Sequence, residues 1–488
     1  MFRSIRAGSP RSPFFVVGVG KNASSLPRGL PGTAGAKRAL TDALQTPGFS
    51  GKHGSFAMAG SVGMLVGLGE IDDLTTDRLR EIGAKIVRKL DAIEMTAARI
   101  AIAGAVPKRV MTDDVVGACV GEGMGVGNWR VDFFDGKATK RRKPRGPLTV
   151  AIDDGARAGF RRGLTTAECV NEARRMAATP PNICHPEWVA TEARRLARKA
   201  GLTCRVISYA EAQKLGMGGL VNVGKGSVRK PRMVILEHRP ARAKKDTCIA
   251  LVGKTMTYDT GGYSLKISNS MKGMKYDGNG GCAVLGAMLA IAARKLPVRV
   301  VGLLPTAENM VSSEAYRPDD IITMYNGVSV EVTNTDAEGR LILGDALAYA
   351  CKKYKPTAIV DAATLTGGVV VALGSWCAGL FCRDDELRER VENAAAETGE
   401  RVWPLPLWEE HRDFMRAKHA DVWNSGPKRD GHPIQGAAFL SFFVDEDIPW
   451  AHVDIAGVSD VTSSSALHVV GPTGFGVRLL TEIAAGYA

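Results

Sequence analysis

Short apolar runs that alternate with helical stretches are the feature that most restricts the fold of this chain. In the C-terminal portion, runs typical of buried strands occupy residues 233–236, 248–252, 298–304, 358–361 and 450–455. Helical patterns separate these runs, and such alternation is typical of a layered α/β domain around a largely buried sheet. We therefore predict an α/β fold for this portion.

The N-terminal portion shows the same alternation on a smaller scale. Up to about Leu164, strand-like runs at 64–67 and 99–103 flank a helical stretch at 76–93. The first six residues are basic and poor in acids, as in a transit peptide, but the strand-like run 14–18 follows directly. We favour a folded first strand over a targeting signal.

A helical connector is predicted between the two portions. The sequence Thr-Thr-Ala-Glu at 165–168 resembles a capping box, which would start a helix there. The helix should end near Ala178, because the prolines of segment 179–182 disfavour helix. The predicted organisation is an N-terminal α/β domain at 1–164, a linker helix at 165–182 and a larger α/β domain at 183–488.

The composition excludes several classes of protein. Hydrophobic residues make up 45% of the chain and charged residues 24%, as in ordinary globular proteins. No run approaches the roughly 20 apolar residues of a membrane-spanning helix. The nine cysteines include no Cys-x-x-Cys pair, which argues against a disulfide framework or a cysteine zinc site and favours a cytoplasmic protein with reduced thiols.

The net charge of +13 keeps a nucleic-acid partner open. A basic run lies at 137–145, and a run of this kind is more often a solvated loop than a docking site. The alternative to an enzyme is thus a nucleic-acid-binding or regulatory protein that uses its basic surface, with or without enzymatic activity. A continuous basic stripe on the assembled particle would favour that alternative.

Charged residues follow the strand-like run 248–252 within a glycine-rich turn. Lys254, Asp259 and Lys266 lie there, and Asp277 stands at the entrance of the apolar helix predicted for 282–293. Each alone has a structural explanation, such as a surface turn or a carboxylate that a helix dipole favours. Several charged residues so close together after a core strand instead indicate a catalytic or binding cleft.

A third block places two acids and an arginine at alternate positions. Asp336, Glu338 and Arg340 would share one face of an extended segment. Converging carboxylates repel one another unless cations bind between them, so we predict two divalent metal ions, roughly 3.5 to 4 Å apart, that share a water. The eight histidines include no His-Glu-x-x-His zinc motif, and we interpret the glycines at 18–21 and 121–127 as turns rather than phosphate-binding loops.

Segment 334–341, Asn-Thr-Asp-Ala-Glu-Gly-Arg-Leu, is identical to the signature of the leucyl aminopeptidase family, also called the cytosol aminopeptidases, which are dinuclear metallo-exopeptidases. The residues Lys254, Asp259, Lys266 and Asp277 also fall at this family's spacing. Further similarity lies at 180–184, 316–320, 361–367 and 450–457, so the resemblance covers the whole C-terminal portion.

The resemblance implies a complete set of metal ligands. One ion would be held by Asp259, Asp336 and Glu338, and the other by Lys254, Asp259, Asp277 and Glu338. Lys254 would bind as the neutral amine, which requires that nearby cations and burial lower its pKa. The ligand set suits zinc or manganese equally.

The resemblance also implies a mechanism and a substrate class. A hydroxide that bridges the two metals would attack the scissile carbonyl while the free amine of the peptide sits near Asp277, which gives specificity for N-termini. Lys266 would stabilise the oxyanion, and Arg340 would anchor a bicarbonate or a water network that handles the proton. Leucine-like residues would be preferred by a pocket of Met274, Thr364, Leu365, Gly367, Ala456 and Ser459.

For the architecture, the resemblance implies a small N-terminal α/β domain, a larger catalytic α/β domain with a mixed central sheet flanked by helices, and a homohexamer. The protein would act on peptides in the cytoplasm and would have no membrane partner. This chain departs from the family pattern at Thr255, where glycine is usual, at Tyr258 and Thr260, and at residues 278–279. These departures leave the ligands intact but bear on side-chain preference.

Overall fold

The computed structural model of this protein describes residues 1–11, 13–131, 133–139, 143–244 and 246–488. The chain forms two compact units. The first comprises residues 1–171 with 461–471, and the second comprises 172–460 with 472–488. The boundaries that the sequence suggests at 164 and 182 remain a prediction about domains.

The first unit is built on a six-stranded sheet with the order β1-β6-β5-β2-β4-β3. All neighbours are parallel except β3 and β4, which are antiparallel. The predicted strands at 14–18 and 64–67 and the helix at 76–93 are confirmed. The strand predicted at 99–103 is β5, but it ends at Ala101, and a 3-10 turn begins at Ala103. The elements are β1 (Ile5–Ala7), β2 (Phe14–Gly20), α1 (Ala34–Asp42), β3 (Phe56–Ala59), β4 (Gly63–Gly69), α2 (Thr76–Ala92), β5 (Ala97–Ala101), α3 (Asp113–Gly127), β6 (Leu148–Ile152) and α4 (Asp154–Ala178).

Gly18 and Gly20 lie in β2 and the glycines at 121–127 are helical, so the interpretation of both runs as turns is wrong. The glycines at 121–127 lie in α3, where a β-carbon on Gly123 would come 2.0 Å from the carbonyl oxygen of Arg80 in α2. On the facing side, a β-carbon on Gly159 in α4 would come 1.8 Å from the carbonyl oxygen of Asp114. Glycine is unfavourable in an isolated helix, and here the close approach of neighbouring helix backbones requires it.

The capping box predicted at Thr165 is also wrong, because α4 begins at Asp154. The hydroxyls of Thr165 and Thr166 donate to the carbonyls of Arg161 and Arg162, one helical turn back. A threonine in a helix interior satisfies its hydroxyl in this way, whereas a capping threonine accepts from a free N–H. The end of α4 at Ala178 agrees with the prediction.

The remaining elements belong to the second unit, except that β19 and β20 each have one residue, Val461 and Gly471, in the first unit. Residues 172–178 at the end of α4 also belong to the second unit. Its strands and helices include every strand predicted for the C-terminal portion. They are α5 (Pro186–Ala200), β7 (Thr203–Ile207), α6 (Tyr209–Leu215), α7 (Gly218–Lys225), β8 (Arg232–His238), β9 (Cys248–Gly253), β10 (Thr255–Asp259), α8 (Asn279–Arg294), β11 (Arg299–Asn309), β12 (Ile321–Thr323), β13 (Ser329–Glu331), α9 (Glu338–Tyr354), β14 (Ala358–Ala363), α10 (Gly367–Leu373), β15 (Ala378–Cys382), α11 (Asp385–Thr398), β16 (Val402–Pro404), α12 (Glu409–Asp413), β17 (Val422–Trp423), α13 (His432–Leu440), β18 (Trp450–Asp454), β19 (Asp460–Val461), β20 (Gly471–Pro472) and α14 (Val477–Ala485).

The central sheet of this unit is mixed, as expected. Its order is β16-β15-β18-β14-β9-β11-β8-β7, and β10 also pairs with β11. The strands β18, β14, β9 and β11 run parallel to one another, while β15 and β8 are antiparallel to their neighbours in this group. All residues of β9 and β14 are buried. The carboxyl ends of the parallel strands therefore meet at one edge, where ligand sites of open α/β sheets lie.

Within the described residues, no helix has the length and apolar character needed to span a membrane. All nine cysteines lie in the described part of the chain; none is in a disulfide, and five are buried.

Candidate functional site

The first three predicted ligands lie at the carboxyl edge of the central sheet. Lys254 occupies the single position between β9 and β10, Asp259 ends β10, and Asp277 lies in a 3-10 turn (Met274–Gly278) that leads into α8. All three side chains are buried. A buried lysine and two buried carboxylates are costly unless they are paired, so their presence indicates a functional constraint.

The acids of segment 334–341 reach the same site from a different backbone conformation than predicted. Segment 334–337 is a turn, and α9 begins at Glu338, so Asp336, Glu338 and Arg340 do not share the face of an extended strand. One carboxylate oxygen from each of Asp259, Asp336 and Glu338 nevertheless lies within 4.8 Å of the others. The sequence pattern predicted the convergence correctly and its local geometry wrongly.

Two lysines neutralise this acidic cluster. Lys254 Nζ lies 2.9 Å from Asp277 Oδ1 and 2.9 Å from Glu338 Oε1. Lys266 Nζ lies 2.9 Å from Asp259 Oδ2 and 2.6 Å from Asp336 Oδ1. Four acids against two ammonium groups leave an excess of negative charge that a cation would balance.

The electrostatics follow from burial and from this excess charge. Burial, and then the charges of Glu338 and Asp259, raise the pKa of Asp277 well above its ordinary value, against the opposing effect of Lys254. Burial, and then the charges of Asp259 and Glu338, raise the pKa of Asp336 to about 6, against the opposing effect of Lys266. Burial alone would lower the pKa of Lys254, but Asp277, Glu338 and Asp259 outweigh it and raise that pKa. The protein's own residues thus favour a charged Lys254, and only bound cations would favour its neutral form.

Two residues that the sequence analysis missed hold Asp259 in place. The side-chain amide of Asn309, at the end of β11, donates to Asp259 Oδ1 at 2.8 Å and to the carbonyl of Thr335 at 2.9 Å. The Thr335 hydroxyl donates to the carbonyl of Gly261 at 2.6 Å. Groups that orient a ligand in this way commonly surround metal sites. Thr335 lies within segment 334–341, but a single sequence does not assign this supporting role to Thr335 or to Asn309.

Arg340 is buried in the first turn of α9, two positions after Glu338. Its Nη1 donates to the carbonyl of Asn424 at 2.7 Å, and among the described residues its Nε has no hydrogen-bond partner. Burial lowers the pKa of Arg340 to about 10, against the charges of Glu338 and Asp454. The guanidinium therefore stays cationic near neutral pH and retains a free donor for an anion or water.

The residues predicted for the substrate pocket lie on three segments at the same edge. Thr364 and Leu365 follow β14, and Ala456 and Ser459 follow β18; the main-chain oxygen of Ser459 accepts from Asn279 Nδ2 at 3.3 Å. The two remaining residues, Met274 and Gly367, begin the 3-10 turn and α10. Thr364 Oγ1 donates to Asp277 Oδ1 at 2.8 Å, so this residue directly contacts a predicted ligand.

Thr255 illustrates how a departure from the family pattern is accommodated. Its hydroxyl donates to the carbonyl of Gly253 at 2.8 Å, and its side chain packs against Gly281 in α8. A β-carbon on Gly281 would lie 1.9 Å from Thr255 Oγ1. The larger side chain therefore fits because the facing helix carries glycine there.

Two regions of the chain match models of one protein family. Residues 171–481 match the model of the cytosol aminopeptidase family, catalytic domain, and residues 16–137 match that of the N-terminal domain of the same family. A probable cytosol aminopeptidase from Desulfovibrio desulfuricans is 48% identical over 357 residues, covering 72% of this chain and 71% of the relative. One from Aquifex aeolicus is 40% identical over 443 residues, covering 89% and 88%.

A solved structure shows the same fold. The bottromycin maturation enzyme BotP, in complex with Mn, superposes with a TM-score of 0.84 at 33% identity and covers 97% of this chain and 99% of that one. The cluster of Asp259, Asp336 and Glu338 in this chain is a group of carboxylates that could hold a metal ion. Because both regions match and the relatives cover most of its length, this chain belongs to the cytosol aminopeptidase family.

Proposed function

We propose that the protein is a two-metal aminopeptidase that removes the N-terminal residue, preferably leucine-like, from peptides. The observation that carries this proposal is the convergence of Asp259, Asp336 and Glu338 within 4.8 Å at the carboxyl edge of the sheet. Membership of the cytosol aminopeptidase family supports the same activity.

The residues present fit divalent ions. Asp277 Oδ2 is buried and, among the described residues, has no hydrogen-bond partner, which leaves a carboxylate oxygen free for a cation. Asp259, Asp336 and Glu338 would hold one ion, and Lys254, Asp259, Asp277 and Glu338 the other. Oxygen donors with one amine suit zinc or manganese, and the manganese complex of the solved neighbour supports the latter. When bound, such ions polarise the scissile carbonyl and lower the pKa of the attacking water.

Lys266 would stabilise the negative charge that develops on the carbonyl oxygen. The charges of Asp259, Glu338 and Asp336 outweigh the effect of burial and raise the pKa of Lys266, so it is an ammonium at neutral pH. Its Nζ is held by two carboxylates, at 2.9 and 2.6 Å, and therefore needs little reorganisation during the reaction.

Asp277 would orient the free amine of the peptide, which explains why only N-terminal residues are removed. Arg340 would hold a bicarbonate or a water network through its free Nε, so that a proton acceptor lies near the attacked carbon. The largely apolar pocket of Met274, Leu365 and Ala456 would favour leucine-like side chains. We also propose, from the family resemblance, a homohexamer that acts in the cytoplasm.

The alternative of a nucleic-acid-binding protein is not favoured by the family match. It would require a continuous basic stripe. Residues 140–142 of the basic run lie outside the described residues, while Lys137 and Lys143 beside them are exposed, as in a solvated loop. No described feature of the site requires a polyanion.

The test compares two substrates that differ only at the amine. We expect the metal-loaded protein to hydrolyse leucine p-nitroanilide and to leave N-acetyl-leucine p-nitroanilide intact, because the blocked amine cannot occupy the place beside Asp277. Equal hydrolysis of both substrates would contradict an exopeptidase. If the protein hydrolyses neither substrate and no p-nitroanilide of any other residue, the peptidase assignment is contradicted.

A further inference from the structure

Two neighbouring loops carry most of the predicted substrate pocket. One follows β14 and the other follows β18, and these strands are adjacent and parallel, with Ala363 opposite Asp454 in the register. The loops therefore leave the sheet side by side at the same edge. Their relative position determines the shape of the pocket wall.

A single buried carboxylate joins the two loops. Asp454 is the last residue of β18 and is 0% exposed. Its Oδ1 accepts the N–H of Leu365 at 3.1 Å and the N–H of Ala456 at 3.2 Å, and its Oδ2 accepts the hydroxyl of Thr366 at 2.7 Å. Three donors from two segments thus converge on one side chain, which offsets the cost of its burial.

Thr366 extends this arrangement into the next helix. Its hydroxyl donates to Asp454 and at the same time accepts the N–H of Val369 at 3.2 Å, as the N-cap of α10. The hydroxyl hydrogen is therefore directed toward Asp454, and the start of α10, at Gly367, is fixed relative to β18.

The loop after β14 also contacts the predicted metal ligands. Thr364 Oγ1 donates to Asp277 Oδ1 at 2.8 Å, and its carbonyl accepts from Lys254 Nζ at 3.0 Å. Thr364 directly precedes Leu365, which Asp454 holds. The residue that contacts Asp277 and Lys254 and the residue that contacts Asp454 are therefore adjacent in the sequence.

We propose that Asp454, acting through Thr366 and Leu365, is a positioning residue that sets the selectivity for the N-terminal side chain by fixing the pocket loops relative to Asp277 and Lys254. The inference rests on the proposed aminopeptidase function. It differs from a purely structural role because the same carboxylate holds both pocket loops and not merely the sheet.

The test uses Thr366→Val, which removes the hydroxyl while it keeps the shape, with Thr366→Ser as the conservative variant. Thr398→Val is the matched control, because the Thr398 hydroxyl is buried, donates to the Ala394 carbonyl at 2.7 Å and accepts from Glu400 N at 3.3 Å in the same unit. The measurement is kcat and KM for leucine and alanine p-nitroanilides, with thermal melting as the folding check. Asp454→Asn is added if it folds.

We expect Thr366→Val to change the leucine-to-alanine ratio of kcat/KM by about tenfold, mainly through a higher KM for leucine, because alanine barely enters the pocket. Thr366→Ser and Thr398→Val should keep the wild-type ratio. An unchanged leucine-to-alanine ratio in Thr366→Val, or an equal loss of kcat/KM for both substrates, would overturn the inference. If the wild type is active in the same assay, the proposed function stands. A wild type inert toward both substrates would overturn both.

Discussion

The side-chain amide of Asn309 donates a hydrogen bond to Asp259 Oδ1 at 2.8 Å, at the point where β10 and β11 end side by side. The second acceptor of this amide is the Thr335 carbonyl, in the segment that carries Asp336. Asn309 is fully buried. One amide group therefore fixes the distance between two predicted ligands that are far apart in the sequence.

Replacement of Asn309 by alanine should weaken metal binding. Without the amide, Asp259 loses its orientation, and loss of such a partner typically lowers metal affinity about 10- to 100-fold. Isothermal titration calorimetry, in which metal is added to the metal-stripped protein, measures this affinity. The exposed Asn326→Ala is the control, and equal affinity in both variants would show that Asp259 needs no support from β11.

Replacement of Lys266 by alanine should lower the rate while the metal remains bound. Loss of an oxyanion donor costs about 10²- to 10³-fold in kcat. The exposed Lys272→Ala removes a charge from the same loop and should retain the wild-type rate. If kcat for leucine p-nitroanilide in Lys266→Ala stays within about twofold of wild type, Lys266 has no part in stabilising the transition state.

The sequence predicted the fold of the catalytic unit well because its strands are buried on both faces and are therefore uniformly apolar. The runs ending near Val252 and Asp361 are of this kind, and both are strands in the structure. The helices of the N-terminal unit were harder to predict. Gly123 and Gly159 oppose helix formation locally, and only the close packing of neighbouring helices explains their positions.

The candidate site shows a similar division. Its charged residues could be predicted because acids and lysines after core strands are costly without a role, and because segment 334–341 is specific to one family. The residues that orient them could not. Asn309 and Asp454 act through contacts with residues 50 and 89 positions away, and these contacts exist only after folding.

The stability of the protein should fall in mild acid partly because of His432. Burial, together with the charges of Arg340 and Arg429, lowers the pKa of His432 from 6.5 to about 4. In the unfolded chain His432 takes up a proton near pH 6.5, whereas in the folded protein it does so only near pH 4. The free energy of unfolding therefore decreases as the pH falls between these values.

The variant His432→Gln should reduce this loss. The measurement is the urea midpoint of the metal-free protein at about pH 7.5 and about pH 5, compared with the exposed His419→Gln. The drop between the two pH values should be smaller in His432→Gln than in the control. Identical drops would mean that His432 titrates normally in the folded protein.

The contact between Thr255 and Gly281 should appear as an energetic coupling. Gly281→Ala places a β-carbon 1.9 Å from Thr255 Oγ1 and should destabilise the protein by about 1 to 3 kcal/mol. Thr255→Gly in the same chain should recover much of this loss, which urea unfolding would measure. Gly35→Ala, whose new β-carbon meets no other part of the chain within 4 Å beyond its own helix, is the control without a clash. Strictly additive effects of Gly281→Ala and Thr255→Gly would contradict direct packing.

The most direct test of the two-metal centre joins metal content to activity. Metal-stripped wild type, Asp336→Ala and the exposed control Asp447→Ala are each supplied with manganese or zinc, and bound metal and hydrolysis of leucine p-nitroanilide are measured together. We predict that wild type and the control regain two ions per chain and full activity, while Asp336→Ala loses activity and retains less metal. Full activity of the stripped wild type, or of Asp336→Ala, would contradict the two-metal account.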